Sequence, residues 1–176
     1  MSVSLVITFT GPDRPGIVDR LARTVAEHGG NWEESRSASL VGRFAGILQV
    51  TAPDSSADDL IDALRGFEKD GLRVLVERGE PEERPAARRL LRLELTGADH
   101  EGIVRDVAHS LAKHGVNIED LVTEHTSAPM SGHVLFRAVA LLDCPPEVAA
   151  EDLERELEQL ADDLVVEIDI HEATPD

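Results

Sequence analysis

The sequence predicts an α+β protein built from two copies of one βαββαβ unit, and three observations predict it. The run Gly11-Pro12-Asp13-Arg14-Pro15-Gly16-Ile17-Val18 returns 86 positions later as Gly97-Ala98-Asp99-His100-Glu101-Gly102-Ile103-Val104. The same offset carries His28-Gly29 to His114-Gly115, Asn31 to Asn117 and Gly46 to Gly132. Around each copy, apolar residues with a two-residue period and apolar residues at helical spacing follow one another in the same order. Between the copies runs Gly79-Glu80-Pro81-Glu82-Glu83-Arg84-Pro85, polar and broken by proline, which reads as a connection.

In the first copy Val3, Leu5, Ile7 and Phe9 alternate with smaller or polar residues as in a strand. Gly11 to Pro15 then reads as a turn opening a helix, with Asp13 as its N-cap and Pro15 in its first turn. Ile17, Val18, Leu21, Ala22 and Val25 form an apolar stripe at helical spacing. His28-Gly29-Gly30 ends the helix, because glycine enters the left-handed region without steric cost. Strands are expected over 31–40 and 44–52 with a turn at Val41-Gly42-Arg43. Pro53 to Ser56 starts a second helix, and Leu72, Val74 and Val76 alternate through a last strand.

The second copy follows suit. Leu91, Leu93 and Leu95 alternate, and Ile103, Val104, Val107, Ala108 and Leu111 repeat the helical stripe. Leu153, Leu157, Leu160 and Leu164 line a second helix, and Val166, Ile168 and Ile170 mark the closing strand. An insertion is expected between Ala138 and Pro146. The βαββαβ order is that of the ferredoxin-like split βαβ fold, an antiparallel sheet with two helices on one face. A unit of roughly 80 residues is only marginally stable alone. Two domains, 1–79 and 89–174 with a linker at 80–88, are therefore expected to pack their antiparallel sheets side by side, hiding strand edges.

Composition narrows the function. The 176 residues carry a net charge of −18, and from residue 90 onward 5 Lys/Arg face 20 Asp/Glu, or −15. A polyanion repels a polyanion, so no direct nucleic-acid binding is expected. No run of about 18 apolar residues suits a bilayer, and Met1-Ser2-Val3-Ser4-Leu5 does not read as a secretory signal. With a single cysteine, Cys144, these point to a cytoplasmic protein with no membrane partner.

The duplicated turn is the strongest candidate site. Its glycines allow close backbone approach, and a helix start directs free N–H groups at an anion such as a carboxylate. Gly11, Pro12, Asp13, Arg14, Gly16 and Ile17 form the first copy of this site, with Gly97, Asp99, His100, Gly102 and Ile103 in the second. Asp13 and Asp99 either meet the ammonium of an amino acid or cap the helix. Asn31 and Asn117, each at a strand entry, either offer an amide to a ligand or serve as turn residues. His28 and His114 suit a helix C-terminus, and Trp32, aligned with Ile118, reads as packing. His100, His109, His125, His133 and His171 lack a metal-binding spacing, and one cysteine builds no thiolate site. There is no Gly-x-Ser-x-Gly elbow and no phosphate loop ending in Gly-Lys-Ser/Thr. No metal, cofactor or catalysis is expected.

The run Gly-Pro-Asp-Arg-Pro-Gly-Ile-Val, the Leu-Ala pair of the helix and His-Gly-Gly-Asn resemble an ACT domain. The strands Asn31-Trp32-Glu33-Glu34-Ser35-Arg36 and Phe44-Ala45-Gly46-Ile47-Leu48 extend the likeness. As a pair, the units resemble the tandem ACT proteins of the glycine cleavage system transcriptional repressor family. The ACT module of formyltetrahydrofolate deformylase carries a similar motif, but no hydrolase domain follows here. The resemblance implies a non-catalytic regulator. Such domains pair side by side and bind a small amino acid, glycine for example, at their interface near the first strand–helix turn. It also implies a protein partner, either a DNA-binding transcriptional regulator or a metabolic enzyme, and is compatible with a homodimer. The alternative is a structural module, or a regulatory subunit of an enzyme of amino-acid metabolism, that binds no ligand itself. Ala98, His100 and Glu101 replace Pro12, Arg14 and Pro15 in the second copy, which predicts weaker binding there.

Overall fold

The computed structural model describes residues 1–79, 89–127, 134–164 and 166–173. The expected linker at 80–88 lies outside the described residues, as do Gly132, His133 and residue 174. The chain divides into two compact units, Met1–Glu83 and Arg84–Asp176.

The first unit runs β1 (Ser2–Pro12), α1 (Ile17–Glu27), β2 (Asn31–Leu40), β3 (Arg43–Pro53), α2 (Ala57–Arg65) and β4 (Arg73–Gly79). Its sheet has the order β2-β3-β1-β4 with every pair antiparallel. Alternate residues of β1, namely Leu5, Ile7 and Phe9, are buried together with Ile17, Leu21 and Val25 of α1 and Leu60 and Leu64 of α2. Both helices therefore cover one face of the sheet, and the other face is open. Trp32 packs at the margin of this core.

The second unit repeats the plan with β5 (Arg89–Ala98), α3 (Ile103–Lys113), β6 (Asn117–Ser127), β7 (Val134–Cys144), α4 (Ala150–Leu164) and β8 (Val166–Glu172). Its sheet order is β6-β7-β5-β8. Leu91, Leu93 and Leu95 meet Ile103, Val107, Leu111, Leu153 and Leu157 in its core. Both units are ferredoxin-like βαββαβ folds, as the periodicity predicts.

Strand register corrects the alignment of the copies. In the first unit Leu40 pairs with Arg43, leaving two residues in the hairpin. In the second Ser127 pairs with Val134, so the additional residues lie at 128–133, ahead of β7 rather than after Ala138. β3 and β7 are both 11 residues long. Phe9 pairs with Gly46 and its counterpart Leu95 pairs with Ala138. Gly46 thus corresponds to Ala138 and not to Gly132. The inward-facing apolar pattern fixes register, since a one-residue slip would turn the core face outward, and a shared glycine does not outweigh it.

Two local readings also change. Gly11 and Pro12 belong to β1, opposite Phe44 and Arg43, instead of to the turn. Pro15 precedes α1, which begins at Ile17 after Gly16 in the left-handed region at φ 89°.

Candidate functional site: the duplicated strand–helix turn

β1 arrives at the turn through Gly11, whose missing side chain is a requirement of packing. A Cβ there would stand 2.9 Å from Leu72 Cδ1 and 3.0 Å from the Gly71 carbonyl oxygen. Gly97 meets the same constraint, since its Cβ would stand 2.7 Å from Val166 Cα. Pro12, Asp13, Arg14, Pro15 and Gly16 are exposed, and Ile17 buries the first residue of α1 in the core.

Asp13 is not the N-cap. Gly16 holds that position, and no side chain caps the helix. The Asp13 N–H donates to the Gly42 carbonyl at 2.9 Å, and Ser39 Oγ donates to the Asp13 carboxylate at 2.5 Å. Asp13 therefore ties the turn to the tip of the β2–β3 hairpin. Arg14 Nη2 donates to the Asp70 carbonyl at 2.6 Å, and Arg20 Nη2 bonds the Asp70 carboxylate at 2.6 Å. The Arg20 guanidinium also lies 4.7 Å from the centroid of the Phe67 ring. The two arginines hold the 3₁₀ turn Gly66–Asp70 against the start of α1.

Asn31 lies elsewhere in the unit. It pairs with Thr51, which lies opposite Ser4 near the beginning of β1, whereas the turn follows Pro12, opposite Arg43. The eight residue steps of β3 from Arg43 to Thr51 span ~26 Å at the usual strand rise. Within the first unit, then, Asp13 stands at the turn and Asn31 does not. Asn31 Nδ2 donates to Glu33 Oε1 at 2.9 Å, and Thr51 Oγ1 donates to the same oxygen at 2.7 Å. These bonds, Thr51's first, hold the Glu33 carboxyl below its ordinary pKa.

The second turn has the same backbone and different chemistry. Gly102 caps α3 in the left-handed region at φ 96°, again with no side-chain cap. Arg105 lies across it, with Nη2 2.8 Å from where a Gly102 Cβ would stand. Arg105 Nε donates to Asp106 Oδ1 at 2.8 Å, and this bond holds the Asp106 carboxyl below its ordinary pKa. Asp99 pairs with His125 at 3.2 Å, and the His125 ring meets Phe136 edge-on at 6.0 Å. His100 Nδ1 lies 3.3 Å from the Glu101 carbonyl. Ile103 is buried, and Asn117 opens β6 opposite Asp143.

Ser39, Gly42, Asp70 and Arg105 complete the two turns and escape a reading of the sequence. The first three come from distant segments, although Arg105, three residues after Gly102, was open to a helical-spacing argument. The helix-end histidines diverge as well. His28 Nδ1 donates to the Thr24 carbonyl at 2.8 Å, whereas His114 Nε2 meets Glu156 of α4 at 2.5 Å. Among the described residues, no group of three or more His, Cys, Asp or Glu is placed to hold a metal ion.

Known proteins share this architecture. The sequence profile of the ACT domain matches residues 4–76 and again 89–171. The chain belongs to the ACT domain family.

As a tandem ACT protein it is 28% identical to the glycine cleavage system transcriptional repressor of Escherichia coli over 163 residues, 91% of this chain and 85% of the relative. The crystal structure of an unknown protein from Galdieria sulphuraria superposes with a TM-score of 0.89 at 30% identity, over 99% of this chain and 100% of the other. A candidate glycine cleavage system transcriptional repressor shares the fold at a TM-score of 0.73 and 19% identity, over 99% of each chain. Among the described residues, no helix is long and apolar enough to cross a membrane.

Proposed function

We propose that this tandem ACT protein is a non-catalytic sensor of a small amino acid such as glycine, and that it modulates a DNA-binding transcriptional regulator by protein contact. The observation that carries the reading is the pair of uncapped helix starts at Gly16 and Gly102. A helix start without a capping side chain leaves backbone N–H groups for an outside acceptor, and its dipole favours a carboxylate. Nothing lies within 4 Å of a Cβ built at Gly16, whereas Arg105 covers Gly102. The first turn is therefore the stronger site, with the ligand's ammonium directed to the Asp13 carboxylate. The relationship to the glycine cleavage repressor supports glycine as the first ligand to try, and the acidic chain suits action through a partner rather than on DNA.

Calorimetry tests the sensor. A Gly16→Val variant is a poor probe, because φ of 89° strains a β-branched residue whatever the space. Asn tolerates the left-handed region, so Gly16→Asn keeps the turn while placing an amide over the helix start. Saturable heat with glycine or serine that is lost in Gly16→Asn and retained in Gly102→Asn supports the assignment. Loss in Gly102→Asn alone moves the site to the second unit.

One observation favours the structural-module reading. Asp13, Arg14 and Asn31 already bond Ser39, Asp70 and Glu33 inside their own unit. Absence of heat with glycine, serine and the branched-chain amino acids would select that reading.

A further inference from the structure

We infer that the second unit carries a binding pocket for a short unbranched aliphatic chain, between α3 and the edge strand β6. A cavity of about 30 Å³ lies there within the core. Val107, Ala108 and Leu111 of α3 line one side and Ile118 of β6 another, with Ala138 and Ala140 of β7 beneath. Every described residue around it is apolar. A buried water needs at least two polar partners, and no side chain here supplies one, so the space is dry. Carbon atoms that face a void forfeit contacts, which an entering chain would restore. One water takes about 10–15 Å³ of such space, so the cavity accepts roughly two carbons at the end of a chain. A branched group is too wide.

The cavity has a mouth. Val104 and Leu121 line it as well, and they are 43% and 44% exposed, so it reaches the surface between them. β6 is the outer strand of its sheet, which leaves this margin of the core open to an approaching ligand. The chain end enters between helix and strand while the ligand's polar head stays in water.

The first unit places more bulk at the same positions. By strand register, Leu48 stands where the second unit has Ala140, and Phe9 where it has Leu95. The sequence repeat sets Leu21 against Val107 and Trp32 against Ile118. Ala138 in place of Gly46 and Leu111 in place of Val25 return only a carbon each. At the rim the change runs the other way. Ser35, opposite Leu48, gives way to Leu121, opposite Ala140. Val18, the counterpart of Val104, is 47% exposed, so Leu121 is what distinguishes the second mouth from the first. A simple loss of packing accounts for the hollow but not for the larger apolar residue at its entrance. An entering aliphatic chain accounts for both.

Methyl NMR of the full chain, titrated with butan-1-ol, tests the pocket. The methyl signals of Val107, Leu111 and Ile118 should shift to saturation, while those of Ile17, Leu21 and Val25 in the first unit stay still. Tert-butanol, with the same number of carbons but a branched end, should bind about tenfold more weakly, the effect of a misfitted methyl in an apolar pocket. Val107→Leu restores the first unit's residue and fills the cavity from the helix, and Ala140→Val fills it from the sheet. Each should weaken butan-1-ol binding by about tenfold, with circular dichroism confirming the fold. Leu121→Ser, at the exposed rim, should weaken binding without lowering the urea midpoint. Absence of saturable shifts would overturn the inference and leave the cavity a packing defect. Equal affinity for the two alcohols would overturn it too, as would binding indifferent to both filling variants.

Discussion

Phe9 and Gly46 form a cross-strand pair in which the ring of one fills the space left by the absent side chain of the other. A Cβ at Gly46 would stand 2.6 Å from Phe9 Cζ and 2.8 Å from the Arg36 carbonyl oxygen. The equivalent pair in the second unit is Leu95 and Ala138, a smaller residue opposite a larger one. The two cores thus fill one position in opposite ways. Gly46→Ala should destabilise the first unit by about 1–3 kcal/mol through overpacking. Phe9→Leu relieves the ring contact, so the double variant should lose less than the sum of the single losses. Urea denaturation of the three variants measures the coupling, and strict additivity would show that the ring is not the obstacle.

The hairpin between β2 and β3 carries a strain that the sequence can remove. Val41 has φ 49° and Gly42 φ 72°, so both central residues of the two-residue turn are left-handed. That geometry suits the twist of the flanking strands but favours Asn-Gly, and a β-branched residue there is an outlier. Val41 is 93% exposed, so no packing compensates. Val41→Asn should stabilise the protein by about 1 kcal/mol, given the usual cost of the left-handed region. A lower denaturation midpoint in this variant would mean that Val41 is held by a contact made outside this chain.

The repeat was legible because its signals are local. Glycine and proline in the turn, the apolar stripe of α1 and its glycine stop all lie within 20 residues of one another. These predicted both βαββαβ units and the burial of Ile17, Leu21, Val25 and their counterparts. What escaped depends on contacts distant in sequence. Aspartate is a preferred cap, yet Ser39 and Gly42 claim Asp13 from 26 and 29 positions away. Arg14 reads as a free cation until Asp70 is seen beside it. The hairpin insertion was misplaced because matching Gly46 to Gly132 follows residue identity, whereas the sheet follows inward-facing pattern.

Acid should weaken the second unit through Glu156. Its carboxylate receives hydrogen bonds from His114 at 2.5 Å and Ser110 at 2.9 Å, and Lys113 lies 3.7 Å away. The His114 bond first, then that of Ser110, holds its pKa below the ordinary value. A carboxyl whose folded pKa is lowered contributes fully above its unfolded value of about 4.3, and loses that contribution as pH falls through the folded value. Glu156→Gln should therefore lower the melting temperature at pH 7, with the gap to wild type closing below about pH 4. A gap that stays constant from pH 7 to pH 3 would show that the carboxylate charge contributes nothing.

Direct contact with DNA should be absent, and the charge distribution gives the reason. Binding to duplex is driven by release of counterions when Lys and Arg neutralise phosphates. Here the net charge is −18. Arg14 and Arg20 are occupied by Asp70, Arg78 by Asp54 and Asp58, and Arg92 and Arg137 by Glu94. A duplex would have to displace these acceptors, the Asp70 carbonyl from Arg14 and carboxylates from the others, and approach a polyanion besides. Fluorescence anisotropy with random duplex at physiological salt should show no binding by the purified protein up to micromolar concentration. Adding a DNA-binding regulator should produce a complex that this protein alone does not form, and glycine should change its amount. Submicromolar affinity for duplex in the absence of any partner would overturn the mechanism of indirect control, because that mechanism assigns every phosphate contact to the partner.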